Sequence, residues 1–348
     1  MSLSTAKKII TFIKKEVRKR KFRVIIAGGE PLLNFKIVEY LIKELKKIKG
    51  KKASVLVLTN GSLLNAENVI FLKKYDVSVQ ISIDGSESMH NRNRPLKGNR
   101  ASYQKVMAGL DLLKKNLKED RITVNAVIPV NANISKSYLK EFFNALINLN
   151  VKRVDFNLDF NKMVVEKRDV QRIYSYIFSW ADNFIKINKK TPPFLSIKTI
   201  FNDIYRTNKK GGKSLSYICP ALVEALKQGF SVDADGKVYP CLHFVPRGNF
   251  EKGYDMGNIS KINIKKYTLF SKSAVYFNHK YYKNSICKNC LIRKYCPGPC
   301  VGLNYRSYKN FFPEKNNNCD LRRAQFINAL RVYKKVRNKR IFNKTDWF

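Results

Sequence analysis

Apolar residues in the first half of the chain follow two alternating spacings. Short continuous apolar runs, typical of buried strands, are separated by stretches in which apolar residues recur every three or four positions, as on one helix face. The predicted strands cover 23–27, 53–61, 77–85, 121–129 and 153–160, and the predicted helices cover 4–18, 35–48, 68–75, 102–116, 135–149 and 167–188. Repeated strand–helix units predict an α/β fold with a parallel sheet and covering helices.

Three of the predicted strands end in short polar or glycine-containing motifs. "GGEP" follows the first strand at 28–31, "TNG" ends the second at 59–61, and "SIDG" ends the third at 82–85. Active residues of parallel α/β proteins lie just past the carboxyl ends of the strands. We therefore expect a binding site at this edge of the sheet. Turn or capping roles explain the nearby polar residues equally well: Asn60, Asp84 and Asn125.

The second half of the chain has a different pattern of residues. After 191–194 ("TPPF") and 207–214 ("TNKKGGKS") the alternation stops, and all the cysteines follow. A hairpin is predicted at 229–241, with its turn at Asp235-Gly236. The predicted domains are 1–195, a linker at 196–214, a cysteine-rich domain at 215–325 and a basic C-terminal helix and tail at 326–348.

Composition narrows the class of protein. The chain has 348 residues and 44% apolar residues, which is typical of a globular protein with a sizeable core. No run of 18 apolar residues is present, so no membrane span is expected. The first 21 residues lack the uncharged apolar segment of a secretory signal. We expect a soluble, cytoplasmic protein that does not bind membranes.

The net charge of +42 is extreme for a chain of this length. Clustered lysine and arginine neutralise phosphates, so a nucleic-acid-binding protein is one alternative. The basic runs are scattered over predicted helices and linkers, however, and no aromatic-interleaved basic stripe accompanies them. The pattern favours a solvated basic surface, and an acidic peptide or protein partner is equally compatible with it.

The seven cysteines give the clearest indication of a functional site. None precedes residue 219, and a cysteine cluster in a chain without a secretory signal indicates metal ligation before disulfides. Seven thiolates exceed the four that one zinc ion or one iron–sulfur cube binds, so the count predicts two centres. The spacing alone leaves zinc and iron–sulfur equally open.

The full cysteine spacing resembles that of a known family. It is similar to the seven-cysteine pattern of SPASM domains, which are auxiliary-cluster extensions of radical S-adenosylmethionine (SAM) enzymes that modify peptides and proteins. In this sequence the pattern reads Cys219…Gly236-x4-Cys241…Cys287-x2-Cys290-x5-Cys296-x3-Cys300…Cys319. The resemblance implies one [4Fe-4S] cluster on Cys287, Cys290, Cys296 and Cys319. It implies a second on Cys219, Cys241 and Cys300, with its fourth position open or filled by another ligand.

The N-terminal half resembles the core domain of the same superfamily. "GGEPLLNF" looks like the segment that binds the amino group of SAM, and "ISIDGSESMHNRNRP" looks like the fourth-strand segment of sulfatase-maturase-like enzymes. The resemblance implies SAM contacts from Gly28, Gly29, Glu30, Ser82 and Arg94. A guanidinium can also bind a carboxylate through two parallel hydrogen bonds, which suits Arg94.

The resemblance also implies an overall fold and activity. The fold would be a partial (β/α)6 barrel lacking its first strand unit, followed by the SPASM domain. The activity would be reductive SAM cleavage to a 5′-deoxyadenosyl radical, followed by hydrogen-atom abstraction from a peptide or protein substrate. The expected cofactors are SAM and two auxiliary [4Fe-4S] clusters, and the expected electron donor is a flavodoxin or ferredoxin. No residue is assigned a catalytic role.

Two departures from the family pattern stand out. The Cys-x3-Cys-x2-Cys motif that binds the SAM-cleaving cluster is absent, since no cysteine precedes Gly28. We expect a truncated sequence, with a split enzyme or a degenerate paralogue as alternatives, and we expect this chain alone to be inactive. The second departure concerns the residue after Cys241. Sulfatase maturases have a proposed catalytic aspartate there, whereas this chain has Leu242 followed by His243. His243 could act as a base, but we interpret it as a residue that packs near the metal loop or supports a metal ligand.

The sequence is also compatible with a non-catalytic function. The cysteine-rich domain is equally consistent with an iron–sulfur or zinc scaffold that binds a peptide or a partner subunit. His90 is interpreted as part of the fourth-strand loop and His279 as a surface residue.

Overall fold

Five strands form one parallel sheet whose spatial order is the same as their order along the chain. They are β1 (Phe22–Ile26), β2 (Ala53–Thr59), β3 (Ser78–Ser82), β4 (Ile122–Pro129) and β5 (Val154–Asp159). The sheet curls into a half-barrel, which confirms the predicted partial barrel. The computed structural model describes residues 1–16, 22–48, 53–129, 134–159, 167–210, 230–246, 254–262, 288–296, 301–309 and 317–336.

Helices connect consecutive strands in the manner that parallel pairing requires. α2 (Phe35–Lys46) joins β1 to β2, α3 (Ala66–Lys74) joins β2 to β3, α4 (Glu87–Asn93) and α5 (Tyr103–Asn116) join β3 to β4, and α6 (Lys136–Asn148) joins β4 to β5. α1 (Leu3–Glu16) precedes β1, and α7 (Lys167–Asn188) and α8 (Leu195–Lys210) follow β5. The apolar stripe predicted for α2 is buried at Val38, Leu41, Ile42 and Leu45. The six predicted helices are confirmed to within about two residues at each end, whereas α4 and α8 were not predicted.

The two faces of the sheet differ in burial. Along β4, burial alternates from residue to residue, and the buried set is Ile122, Val124, Ala126 and Ile128. On the buried face of β5, Phe156 packs edge-to-face against Phe143 of α6, with ring centroids 5.2 Å apart. The residues between the buried positions are half-exposed and mostly polar. This second face is therefore the one that can hold a polar ligand.

Tight turns at the carboxyl ends of β2 and β3 require glycine. Gly61 has φ +83°, and a Cβ there would meet the Ile81 side chain at 2.6 Å. Gly85 has φ +79°, and a Cβ there would meet Met89 and Phe142 at under 3.0 Å. L-residues rarely adopt this left-handed backbone, so both glycines hold the chain close to the end of its strand.

Short elements follow in the second half of the chain. The predicted hairpin is confirmed as the antiparallel pair β6 (Ser231–Val232) and β7 (Val238–Tyr239), with Gly236 at φ +84° in its turn. A second antiparallel pair follows, formed by β8 (Gly257–Asn258) and β9 (Lys261–Ile262). Two helices complete the described part, α9 (Val301–Tyr308) and α10 (Asn317–Val336).

The chain divides into two compact units. One contains Ile10–Val165 and Asn183–Lys198, and it holds the five-stranded sheet. The other contains Met1–Ile9, Glu166–Asp182 and Thr199–Phe348, and it holds all seven cysteines.

Within the stretch predicted as a linker, 196–214, the described residues lie in α8, which ends at Lys210. Its apolar side chains are buried, and Phe201 packs against Phe178 of α7 and Tyr333 of α10. The proline pair before this segment and the lysine–glycine run after it mark the ends of a helix. The domain boundaries themselves stay predictions.

No helix in the described ranges is long and apolar enough to cross a membrane.

Candidate functional site

Glu30 lies at the carboxyl end of β1 and binds the neighbouring strand end through its carboxylate. One oxygen, Oε1, accepts hydrogen bonds from the Leu32 amide at 3.0 Å and from the Thr59 hydroxyl at 2.7 Å. The other, Oε2, accepts from the Asn60 amide at 2.7 Å. A carboxylate offers about four acceptor positions, so three are used by the protein and about one is left for a ligand ammonium.

The backbone beside Glu30 is open. Gly28 and Gly29 are exposed, and a Cβ built on either one would meet nothing within 4 Å among the residues that the structure describes. The fold itself therefore does not require glycine at these positions. Open space next to bare backbone is what a closely bound ligand needs, which agrees with the SAM contacts that we expect from these two residues.

Arg94 is held by a buried carboxylate at the end of β3. Its Nε donates to Asp84 Oδ2 at 2.8 Å, and the Asp84 side chain is only 3% exposed. Asp84 Oδ1 also accepts a hydrogen bond from the Val127 amide of β4 at 2.8 Å. Asp84 thus joins two strand ends and fixes the direction of the guanidinium.

His90 supports the same turn. Its Nδ1 accepts a hydrogen bond from the Asp84 amide at 3.2 Å, which places the proton of the neutral ring on Nε2. The ring is buried and contacts Tyr103 edge-to-face. Burial lowers the pKa of His90, and the Arg94 charge adds to this, while the Asp84 carboxylate acts in the opposite direction. The sequence predicted that His90 belongs to the fourth-strand loop, and these contacts give His90 a structural function there.

Ser82 ends β3 on the polar face of the sheet. In register it pairs with Asn125 of β4, which pairs in turn with Asp155 of β5. Asn125 Oδ1 accepts from Asn157 Nδ2 at 3.1 Å. Asp155 and Asn157 were missed in the sequence, where only alternation along β5 would have placed them on this face. Burial raises the pKa of Asp155, with hydrogen bonds from Ser196 and Phe156 opposing the shift.

Four of the seven cysteines lie in the described part of the chain, and each is partly buried: Cys241, Cys290, Cys296 and Cys319. The other three predicted ligands, Cys219, Cys287 and Cys300, lie outside the described residues. Over the ranges that the structure describes, no group of three or more histidine, cysteine or acidic side chains is close enough to hold a metal ion. Each predicted cluster has at least one ligand outside those ranges.

Cys290 and Cys319 nevertheless approach the same cation. The Arg323 guanidinium, one turn along α10 from Cys319, donates a hydrogen bond to Cys290, and this contact is the main reason that the pKa of Arg323 is raised. The Cys319 side chain acts on Arg323 in the same direction. Arg323 also forms an ion pair with Asp320 at 3.3 Å. Cysteine sulfur is a ligand both for iron–sulfur clusters and for zinc. The donor set therefore suits an iron–sulfur cluster or zinc.

Tyr295 anchors the loop that carries Cys290 and Cys296. Its ring stacks on Phe326 of α10 at 6.3 Å, and its hydroxyl donates to Asn208 of α8 at 3.0 Å.

Two family models match the chain. The radical SAM superfamily model matches residues 2–145, and the SPASM iron–sulfur cluster-binding domain model matches residues 219–291. The first match contains Glu30, Ser82 and Arg94. The second contains the first four cysteines of the pattern.

Characterised relatives are similar over most of the chain. The cysteine-type anaerobic sulfatase-maturating enzyme of Clostridium perfringens (strain 13 / Type A) is 26% identical over 323 residues, which cover 82% of this chain and 79% of that protein. The radical SAM cyclopropyl synthase TigE of Paramaledivibacter caminithermalis is 24% identical over 330 residues, which cover 92% of this chain and 64% of that protein.

Solved structures agree in fold. The structure of polyhistidine-tagged anSMEcpe with bound AdoMet has a TM-score of 0.77 at 20% identity, over 99% of this chain and 88% of that chain. Native anSMEcpe with bound AdoMet and the Cp18Cys peptide has a TM-score of 0.76 at 20% identity, over 97% and 91%.

The family models match a radical SAM region at 2–145 and an iron–sulfur cluster-binding region at 219–291, and the parallel half-barrel agrees in fold with the first. The chain is therefore similar to radical SAM/SPASM maturases.

The three hydrogen bonds of Glu30 predict a stability effect. In Glu30→Gln, the amide NH2 group must face at least one of the Leu32, Thr59 and Asn60 donors, which leaves a donor unsatisfied. We expect the free energy of unfolding to fall by about 1–3 kcal/mol, measured by urea denaturation followed by circular dichroism. The matched control is Glu39→Gln on α2, where an exposed pair with Lys43 at 3.5 Å is lost and the change is within about 0.5 kcal/mol. Equal effects of the two substitutions would contradict the structure.

The lowered pKa of His90 predicts a pH dependence of stability. The unfolded ring titrates near 6.5 and the folded ring titrates lower, so the unfolded state binds more protons below about pH 6.5. This contribution to stability is present above about pH 6.5 and is lost as the pH falls towards the folded pKa, at up to about 1.4 kcal/mol per pH unit.

His90→Asn keeps an acceptor for the Asp84 amide and removes the titration. We expect the loss of unfolding free energy between about pH 7.5 and about pH 5.5 to be smaller in this variant. An identical pH dependence in both proteins would exclude His90 as the source.

Proposed function

We propose that this chain forms part of an enzyme that modifies a peptide or protein substrate by radical SAM chemistry, with auxiliary iron–sulfur clusters in its cysteine-rich region. One observation carries the proposal: Glu30, which directly follows Gly28 and Gly29, and the Asp84–Arg94 pair both lie at the carboxyl edge of one parallel sheet. An acceptor for an ammonium and a donor for a carboxylate are the two groups that recognise the methionine end of SAM.

The residues of this edge have distinct roles in the proposal. The remaining acceptor position of Glu30, together with Gly28 and Gly29, receives the amino group of SAM. Arg94 binds the SAM carboxylate while Asp84 holds the guanidinium in place. Ser82, at the end of β3, contacts the ribose or the carboxylate. None of these side chains takes part in bond breaking, so their contribution is binding and orientation.

When bound and reduced by one electron from a flavodoxin or ferredoxin, delivered through a cluster that these residues do not supply, SAM would provide the 5′-deoxyadenosyl radical that takes a hydrogen atom from the substrate. The cysteines of the second half of the chain would hold auxiliary clusters, which would accept the electron released when the substrate is oxidised further. A peptide substrate is supported by the peptide bound in the structural neighbour and by the maturase relatives.

Two auxiliary clusters are proposed from the cysteine set. Cys287, Cys290, Cys296 and Cys319 hold one, and Cys219, Cys241 and Cys300 contribute to the other. The approach of Cys290 and Cys319 to Arg323 supports the first set, because the guanidinium offsets thiolate charge. Leu242 is 54% exposed and has no group that could accept a proton, so the proposal does not extend to sulfatase maturation by the family mechanism.

SAM binding tests the role of Arg94. In Arg94→Lys, the single ammonium cannot both replace the Nε contact with Asp84 and bind a carboxylate in a bidentate manner. We therefore expect the substitution to weaken SAM binding about tenfold, or about 1.4 kcal/mol. Equilibrium dialysis of the full chain with radiolabelled SAM measures the effect. The control is Arg121→Lys, since Arg121 forms a similar pair with Asp76 at 2.6 Å away from the carboxyl ends of the strands. Equal SAM binding by Arg94→Lys and Arg121→Lys would remove Arg94 from the site.

SAM cleavage tests the missing motif. These 348 residues contain no Cys-x3-Cys-x2-Cys sequence, so nothing in them supplies the cluster that delivers the electron to SAM. We expect the anaerobically reconstituted chain, incubated with SAM and dithionite, to form no more 5′-deoxyadenosine than a reaction without protein. Iron and sulfide are counted in the same sample to show that auxiliary clusters are present. Sustained 5′-deoxyadenosine formation over many turnovers would refute the expectation.

A further inference from the structure

Asp84 holds the Arg94 guanidinium, and a third residue holds Asp84. The Asp84 amide donates a hydrogen bond to His90 Nδ1 at 3.2 Å, while the Asp84 carboxylate accepts one from Arg94 Nε at 2.8 Å. The backbone adds a second link, because the Arg94 amide donates to the His90 carbonyl at 2.8 Å. His90 is therefore connected to both members of the pair at the turn that follows β3.

The start of α5 closes over this turn. Tyr103 packs edge-to-face on the His90 ring, with ring centroids 5.6 Å apart. The Ser102 hydroxyl donates to the Arg94 carbonyl at 2.6 Å, and the Ser102 and Tyr103 amides both donate to Asn91 Oδ1 at 2.9 Å. His90 is only 1% exposed. Packing and the hydrogen bond from the turn together fix the orientation of the ring.

The imidazole is an unfavourable choice for packing alone. Its Nε2 is buried and has no hydrogen-bond partner over the ranges that the structure describes, so the ring makes one hydrogen bond there, with the Asp84 amide. A buried polar atom without a partner is unfavourable. An apolar side chain would fill the same space without that cost, but it could not accept the Asp84 amide. The acceptor nitrogen is therefore what histidine contributes at this position.

We propose that His90 is a positioning residue for SAM binding. Its ring fixes the turn that carries Asp84, and Asp84 fixes the Arg94 guanidinium that binds the SAM carboxylate. His90 itself does not contact SAM in this arrangement. The inference rests on the proposed function, since it requires that Arg94 belongs to the SAM site.

Protonation of His90 would undo this arrangement. A proton on Nδ1 turns the acceptor into a donor, which then faces the Asp84 amide, another donor. The charged ring would also compete with Arg94 for the Asp84 carboxylate. SAM binding therefore requires the neutral ring, and by linkage bound SAM disfavours protonation of His90.

The groups around the ring differ from it in when they change charge. Asp84 and Arg94 act on His90 from the turn, and Tyr103 packs on it from α5. Burial raises the pKa of Tyr103, and the Glu87 carboxylate of α4 adds to this. Histidine is the side chain that ordinarily changes charge between pH 5 and 8. Because burial lowers the pKa of His90, SAM affinity should be full above about pH 6.5 and should fall as the pH drops through the lower pKa of the folded ring.

Equilibrium dialysis of the full chain with radiolabelled SAM, from about pH 7.5 to about pH 5, tests the proposal. The Kd should rise by up to about tenfold per pH unit once the pH is below the pKa of the ring. His90→Asn keeps an acceptor near the position of Nδ1 and cannot be protonated, so it should bind SAM within about threefold of the unsubstituted protein at neutral pH, with a smaller pH dependence. Circular dichroism at each pH confirms that the chain is folded.

His90→Leu keeps most of the bulk and removes the acceptor. It should weaken SAM binding about tenfold at neutral pH, because the Asp84 amide is left without its partner. The matched control is Asn65→Ala, which removes a different amide acceptor of the same unit: Asn65 Oδ1 accepts from the Asn68 amide at 2.9 Å at the exposed start of α3. This control should lose stability and keep its SAM affinity. Equal SAM affinity of His90→Leu and Asn65→Ala would overturn the inference.

Nuclear magnetic resonance of protein labelled with 15N in histidine follows the ring directly. The chain has three histidines, and the signal that disappears in His90→Asn is that of His90. Saturating SAM should move the titration midpoint of His90 to lower pH. An unchanged or higher midpoint would overturn the inference, because a ring with a purely structural function would not respond to the ligand in this way.

The inference and the proposed function fail in different ways. Weaker SAM binding by Arg94→Lys together with unaltered binding by His90→Leu would remove the inference and leave the proposed site standing. Absence of SAM binding by the full chain, or equal binding by Arg94→Lys and Arg121→Lys, would overturn both.

Discussion

Parallel pairing of the five strands is the constraint on which the rest of this unit depends. Because every strand runs in the same direction, each must be followed by a crossover, and all five carboxyl ends meet along one edge. Alternating burial then gives the two faces of the sheet different side chains, apolar on one and polar on the other. The hydrophobic effect fixes one face against the helices, and the opposite face keeps polar side chains such as Ser82 and Asn125.

Backbone amides near the strand ends donate hydrogen bonds to acidic side chains. Glu30 accepts a hydrogen bond from the Asn60 amide beyond β2, and Asp84 accepts one from the Val127 amide of β4. Glu30 also accepts a hydrogen bond from the Thr59 hydroxyl, and Asp84 accepts one from the Arg94 guanidinium. The groups that stabilise the edge of the sheet are therefore the groups that make this edge able to recognise a zwitterion, and binding needs little rearrangement of them.

Much of this fold could be predicted from the sequence because its signals are local. Apolar runs and helical periodicity located all five strands of the sheet and the long helices. The segment that forms α8 carried the same signal, with Ile197, Ile200, Phe201 and Ile204 at helical spacing, but flanking prolines and glycines suggested a linker. Helix α4 is seven residues long and buries only Met89 and His90, which is too little for a periodic pattern.

The site could be predicted only in part. Short motifs indicated Gly28, Gly29, Glu30, Ser82 and Arg94, whereas their partners depend on strand register and on distant contacts. Nothing local shows that Asp84 binds both Arg94 and β4, or that Gly302 approaches Cys241 across about sixty residues of chain. The cysteine spacing alone indicated metal ligation but left zinc and iron–sulfur open, and the resemblance to SPASM domains indicated iron–sulfur.

The open surroundings of Gly28 and Gly29 have a consequence for how this protein tolerates change. A methyl group at either position meets no atom of the described residues, so refolding of the chain from a denaturant would proceed almost as before. Selection for a stable fold alone would not preserve these two glycines. In the proposed site, the pressure that keeps them would come from the ligand bound against them, and their loss would be visible only in the presence of that ligand.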